Sequence, residues 1–331
     1  MSGIGRLRVL VGGLGIGAAL ASTPAFASAA PSADTLSWLD ELLSGLSLPA
    51  QATAAAPLDY QVSIFGMDLF PTADNTATAT SGVGSIAIAI GDGANANASG
   101  GPLGPLGMFD FAFASGTNSS ATVGLGAFLD SAFASGTNSS SVIGLGAFLD
   151  NATASGDGSF AQVGIDGNFD TAYANGTGSY ADAGIGSNDL ATALGAHSSA
   201  TAGAGSYNLA TALFGGDATA GGYGSNAFAE GAGGDATAIG FSSSATAIGG
   251  NADASAQGLG DVASIINTGS AFDQAIAGPL GSNFDIADIL GTGSTAVAGE
   301  GGSYDWAAAF GDMLNAMATG HDFLVDILPF L

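Results

Sequence analysis

The chain has 331 residues, with 56 Gly, 28 Asp and Glu, two Lys and Arg, two His and no Cys, and a formal net charge of -26. Nucleic-acid binding is excluded because the basic groups that would neutralise phosphates are almost absent. The missing Cys excludes disulfides, thiolate zinc sites and a cysteine nucleophile. A hydrophobic fraction of 47% does not fit disorder driven by charge.

Arg6 and Arg8 precede an apolar stretch from Val9 to Leu20, followed by Pro24 and the run Ala25-Phe26-Ala27-Ser28-Ala29-Ala30. Basic, apolar and A-x-A segments in that order predict a secretory signal peptide over residues 1–29, cleaved after Ala27 or Ala29. The apolar stretch could also serve as an uncleaved anchor, but its glycines and Pro24 favour cleavage. The exported chain would keep all 28 acids, 25 Asp and three Glu, and no Lys or Arg. Its stability must then come from packing and backbone hydrogen bonds rather than ion pairs.

Residues 30–57 read as an amphipathic helix and an Ala-rich linker. Leu36, Leu39, Leu43 and Leu46 share one helical face, Asp34 can cap it, and Pro57 closes the linker. Tyr60 to Ile64 alternates like a strand.

From about Ala77 the chain is repetitive. Phe111 to Asp130 and Ser131 to Asp150 are nearly identical copies with a period of 20. Inside each copy an Ala-x-Ala unit followed by Gly recurs, with starts that alternate by 9 and 11 residues between Ala112 and Ala181 and later settle near 9. Such units are too short and too Gly-broken for a helical repeat. They predict an all-β, Ala/Gly-rich β-solenoid over residues 58–302, with about 20 residues and two strands per coil. The two Ala of each unit would point into a narrow interior, with Leu125, Ile143, Ile165, Ile185, Ile239 and Ile248 filling the remaining volume. The x residues would form outward rows: Phe113, Phe133, Thr153, Tyr173, Thr192, Thr211, Phe228 and Thr246 on one side, and Thr122, Val142, Gln162, Asp182, Thr201, Thr219 and Thr237 on the other. The inverted assignment, with aromatics inside, is the structural rival. Residues 303–331 leave the repeat and predict a C-terminal helical cap, with a helix from Tyr304 to Thr319 whose apolar face holds Trp306, Phe310, Met313, Leu314 and Met317. The two terminal helices would cap the open ends of the solenoid, with membrane contact as their other reading.

No catalytic constellation stands out. His197 and His321 lie in different regions, and no Ser sits in a nucleophile elbow. Asp130, Asp150 and Asp170 recur at one point of successive coils. They read most simply as solvated turn formers, although a stacked ladder relieved by calcium is the alternative. Gly221 to Phe228 resembles the calcium-binding nonapeptide of β-rolls, with Asn226 as a ligand candidate, and Gly184 to Leu190 is a partial copy containing Asn188. The Thr rows, with Thr76, Thr78 and Thr80, also suggest a surface that orders water.

Ala236-Thr237-Ala238-Ile239-Gly240 and Ala245-Thr246-Ala247-Ile248-Gly249 resemble the repeats in the heads of trimeric autotransporter adhesins, a resemblance that spans about residues 77–260. It implies a left-handed β-roll that binds host matrix, although the stalk and membrane barrel of that family have no counterpart in this sequence. The Gly/Ala/Asn texture resembles the secreted PGRS-type surface proteins of mycobacteria, without their PE domain. Both resemblances imply an envelope or extracellular location. The expectation is a secreted or cell-surface structural, adhesin-like protein with no enzymatic activity and no resident cofactor. Its partners would be an envelope or host surface, or further copies of itself. A calcium-binding or ice-binding solenoid is the alternative.

Overall fold

The computed structural model describes residues 59–69, 75–98, 109–231, 234–249, 251–266, 272–278, 283–299, 303–319 and 323–327. The signal peptide, the 34–47 helix, the linker to residue 57 and His321 lie outside them.

The described residues form two sheets, one of 15 strands and one of 14, parallel except at the amino-terminal hairpin and wound as a β-solenoid of about 11 turns. Each turn contributes one strand to each sheet. In the first sheet Phe111, Ser131, Asn151 and Thr171 are register partners on successive coils, 20 residues apart. The step then shortens to 19 at Leu190 and Leu209, 17 at Asn226, and 18 at Ser244 and Val262. At about 4.8 Å per coil the rod is roughly 50 Å long.

The paired Ala do face inward. Ala112, Ala114, Ala132, Ala134, Ala172 and Ala174 are all 0% exposed, and the same pattern runs to Ala307 and Ala309. Small side chains let the two sheets approach, and a strand with one Ala face needs no further core. The inverted arrangement is therefore overturned. Both outward rows stand in register as expected: Phe113 pairs with Phe133, Phe133 with Thr153 and Thr153 with Tyr173, while Thr201, Thr219 and Thr237 align on the other sheet.

The expected fillers need correction. Ile143 is buried in a column with Val123 and Val163, but Leu125, Ile165, Ile185 and Ile239 are exposed and Ile248 is half-buried. Gly124 and Gly164 turn the chain out of the strand, so the next residue leaves the interior. A Cβ on Gly164 would lie 2.5 Å from the Gly184 carbonyl of the next coil, so this corner admits only glycine. Ile239 shares the outward parity of Asp235 and Thr237.

The expected C-terminal helix is also overturned. Trp306–Phe310, Asn315–Met317 and Phe323–Ile327 are strands that continue the two sheets past residue 302. The spacing from Trp306 to Phe310 is a helical i, i+4 step, yet four is also an even number, and Trp-Ala-Ala-Ala-Phe buries Ala307 and Ala309 as a strand. Tyr304 (φ 68°) and Met313 (φ 59°) occupy left-handed turns that a helix could not contain.

The other end is closed by a hairpin. Tyr60–Ile64 pairs antiparallel with both Met67–Leu69 and Ile86–Ile90. Its turn residues, Phe65 and Gly66, both have positive φ, as a two-residue hairpin turn requires. On the edge of the second sheet, Gln61 Oε1 accepts the Ala79 amide at 3.0 Å and Ser63 Oγ accepts the Ser81 amide at 3.1 Å. Side chains of the hairpin thus satisfy an edge that would otherwise be open to pairing.

Candidate functional site: a buried aspartate column

Each strand of the first sheet is entered through a residue two positions before its first inward Ala. From Ile86–Ile90 to Trp306–Phe310 this residue is, in coil order, Ser85, Asp110, Asp130, Asp150, Asp170, Asp189, Asn208, Ser225, Ser243, Asp261, Asp285 and Asp305. The structure brings Asp130, Asp150 and Asp170 together in this one column. They are not solvated turn formers, because every Asp of the column is at most 2% exposed.

The reason is a backbone donor. At the corner the amide of each column residue points along the rod and has no strand partner. The Oδ1 atom of the preceding rung accepts it: Asp150 N–H donates to Asp130 (2.7 Å), Asp170 N–H to Asp150 (2.8 Å), and Asp189 N–H to Asp170 (2.7 Å). The chain of bonds continues from Asn208 N–H to Asp189 (2.8 Å) and from Ser225 N–H to Asn208 Oδ1 (3.2 Å). It resumes lower down, where Asp285 N–H donates to Asp261 (3.0 Å) and Asp305 N–H to Asp285 (2.9 Å). A buried amide left without an acceptor would cost about 1–3 kcal/mol, so an acceptor here is a structural need.

The second carboxyl oxygen is less well provided for. Asp130 Oδ2 accepts the Phe128 amide at 3.1 Å, whereas Oδ2 of Asp110, Asp150, Asp170, Asp189, Asp261 and Asp285 is buried without a partner. Burial pushes the carboxyls of Asp110, Asp130, Asp150 and Asp189 up to about 7 and that of Asp261 up to about 6, and it raises Asp170. The amide of the next rung, donating to each, pulls the other way without cancelling the effect, and the Phe148, Asn168 and Phe284 amides, too far or too poorly aligned for a full hydrogen bond, add a weaker pull on Asp150, Asp170 and Asp261.

The remaining sequence candidates lie elsewhere. Asn188 has φ 60°, lies one residue before the column, and donates its N–H to the Asn168 carbonyl at 2.9 Å. Asn226 opens the strand Asn226–Ala229, one residue after the column, and pairs with Leu209 and Ser244. The two therefore occupy different positions of the coil and do not meet. Among the described residues, no three His, Cys, Asp or Glu side chains converge on a point where a metal ion could sit. His197 lies in a left-handed turn of the opposite corner, where earlier coils place Gly158 and Gly178.

Sequence reading missed Asp110, although it lies one period before Asp130, and it missed Asp189, Asp261, Asp285 and Asp305 because a search at a strict period of 20 loses the column once coils change length. The signal was present as an Asp, Asn or Ser two residues before the first inward Ala of each first-sheet strand from Ala87 to Ala307.

These features define a parallel β-solenoid whose coils are joined through a buried polar column at the first-sheet corner, with a shorter counterpart through Asp273 and Ser294 at the other corner. No protein-family model, curated protein or solved structure matches the chain.

Proposed function

We propose that the chain is a secreted or cell-envelope structural repeat protein, adhesin-like and without catalytic activity. The observation that carries this reading is the uniform register of the outward faces. Phe113, Phe133, Thr153 and Tyr173, and on the other sheet Thr201, Thr219 and Thr237, repeat at the spacing of one coil. A group that recognises one coil meets a similar pattern on its neighbours, which favours multivalent contact with an extended partner surface. The basic, apolar and A-x-A pattern of the first 29 residues, and the resemblance to adhesin heads and glycine-rich surface proteins, support export. Cell fractionation with N-terminal sequencing tests this. The expected result is an extracellular or envelope protein beginning at Ser28 or Ala30, and an intact chain retained in the cytosol would overturn it.

A second reading, ice binding, has one observation in its favour: Thr201, Thr219 and Thr237 stand on consecutive rungs of one outward face. Freezing hysteresis of the purified protein would decide it.

A further inference from the structure

Four rungs of the buried column carry neutral residues, Ser85, Asn208, Ser225 and Ser243, and the last three show what the position requires. Asn208 Nδ2 donates to the Gly222 carbonyl (3.2 Å), Ser225 Oγ to that of Gly240 (3.2 Å), and Ser243 Oγ to that of Gly258 (2.9 Å). In each case the acceptor lies three residues before the next rung of the column. Asn208 also accepts the next amide through Oδ1. The position therefore both accepts and donates. An ionised carboxylate can only accept, whereas a carboxylic acid can do both.

The carboxyl surroundings fit the acid form. A Cβ on Gly186 would overlap the Gly205 carbonyl and lie 2.5 Å from Asp189 Oδ2, so these two oxygens are close neighbours. Gly205 O is the counterpart, one coil earlier, of the carbonyl that Asn208 bonds. A Cβ on Gly167 would lie 2.5 Å from Asp170 Oδ2 and 2.9 Å from Asp150 Oδ2, so these two carboxyl oxygens share one small space. The charged groups acting on each rung are the rungs beside it: Asp110 on Asp130, Asp130 and Asp170 on Asp150, Asp170 on Asp189, and Asp285 on Asp261. Neutral Ser85 and Asn208 close the upper stack, and Val163 packs beside it. The chain's only Arg residues, Arg6 and Arg8, lie outside the described residues, and it has no Lys.

We propose that the aspartate rungs Asp110, Asp130, Asp150, Asp170, Asp189 and Asp261 are proton-binding sites, that they enter the folded solenoid as carboxylic acids, and that releasing their protons loosens the coils as the pH rises. Free Asp loses its proton near pH 4, at about 3.9. A rung that holds its proton more tightly when folded stabilises the fold fully below that pH. Its contribution is lost as the pH climbs toward 7, where burial places the carboxyls of Asp110, Asp130, Asp150 and Asp189. Exposed acids repel one another with the same sign of pH dependence. Their effect is screened by salt, with a Debye length of about 3 Å at 1 M, while that of the buried column is not.

The test is thermal melting of the exported chain from pH 4 to 8 in about 1 M NaCl, together with carboxyl carbon NMR titration. We expect the Tm to fall by about 10 °C or more between pH 4 and 7. A set of carboxyls should titrate well above the ordinary range, and the triple variant Asp130→Asn, Asp150→Asn, Asp170→Asn should show about half the wild-type fall in Tm. A Tm that is flat or rising over that range in high salt overturns the proposal. So does an unchanged fall in the triple variant, or titration of every carboxyl near pH 4. If the variant does not fold, the wild-type titration decides.

Discussion

The two corners of each coil solve the same problem by different means. In the 20-residue coils the corner before the second sheet is short, as in Gly116-Thr117-Asn118-Ser119, and its serine bonds within its own coil: Ser159 Oγ donates to Gly156 O at 2.9 Å and Ser179 Oγ to Gly176 O at 3.0 Å, whereas in later coils Ser198 and Ser294 also accept the Gly215 and Leu314 amides of the next coil. The corner before the first sheet is longer, as in Gly124 to Asp130, and its aspartate bonds the neighbouring coil. Unequal corners explain why repeat starts alternate by 9 and 11. They also divide the labour, since the serine shapes one turn while the aspartate locks one coil to the next. The aspartate corner is covered as well. Phe128 and Phe148 stack over it with centroids 5.6 Å apart and planes within 3°, and Phe148 meets Phe169 edge-on at 5.7 Å. A buried polar group between coils needs that apolar cover, and a serine bonded within its own turn does not.

The comparison can be broken at several points. The largest effect is expected from Gly176→Ala in the serine corner, where φ is 142° and a Cβ would overlap the Gly195 carbonyl. A loss of about 3 kcal/mol or more, read as a large drop in Tm or failure to fold, would show that glycine stacking and not the serine sets this corner. Asp150→Ala removes the acceptor of the buried Asp170 amide and should cost about 1–3 kcal/mol by denaturant unfolding at pH 5. Phe148→Ala removes two ring contacts and should cost about 1–2 kcal/mol. It should also speed hydrogen exchange of the Asp150 and Asp170 amides relative to those of the serine corner. Ser159→Ala should cost about 1 kcal/mol or less, because only a local bond within one turn is lost. A serine substitution as costly as the aspartate one would erase the distinction between the corners.

Much of the architecture was legible because period-2 alternation with Ala at both inward positions has few other solutions. Ala112 and Ala114 could only stack or be wasted, and the rows through Phe113 and Thr122 followed from their parity. The reading failed where parity and helical spacing coincide. Trp306, Phe310, Met313 and Met317 suit a helical face, and only the left-handed turns at Tyr304 and Met313 separate the two readings. It failed again at the corners. Gly124 breaks the alternation, so Leu125 leaves the interior although it is two residues from the buried Val123. The acidic column was seen at three rungs, but its burial was not. An Asp in a Gly-rich turn resembles a solvated one until the neighbouring coil places an amide over it.

The column gives each coil a self-contained address, because it sets register anew at every turn whatever the length of the coil before it. Phe111 to Asp130 and Ser131 to Asp150 are near-identical neighbours that each begin just after one rung and end on the next. A gene segment that encodes one such coil can be copied or dropped in frame, and the chain on either side meets the same donor and acceptor as before. Rod length is then a trait that unequal recombination can adjust in whole coils, with the hairpin at the amino-terminal end left untouched.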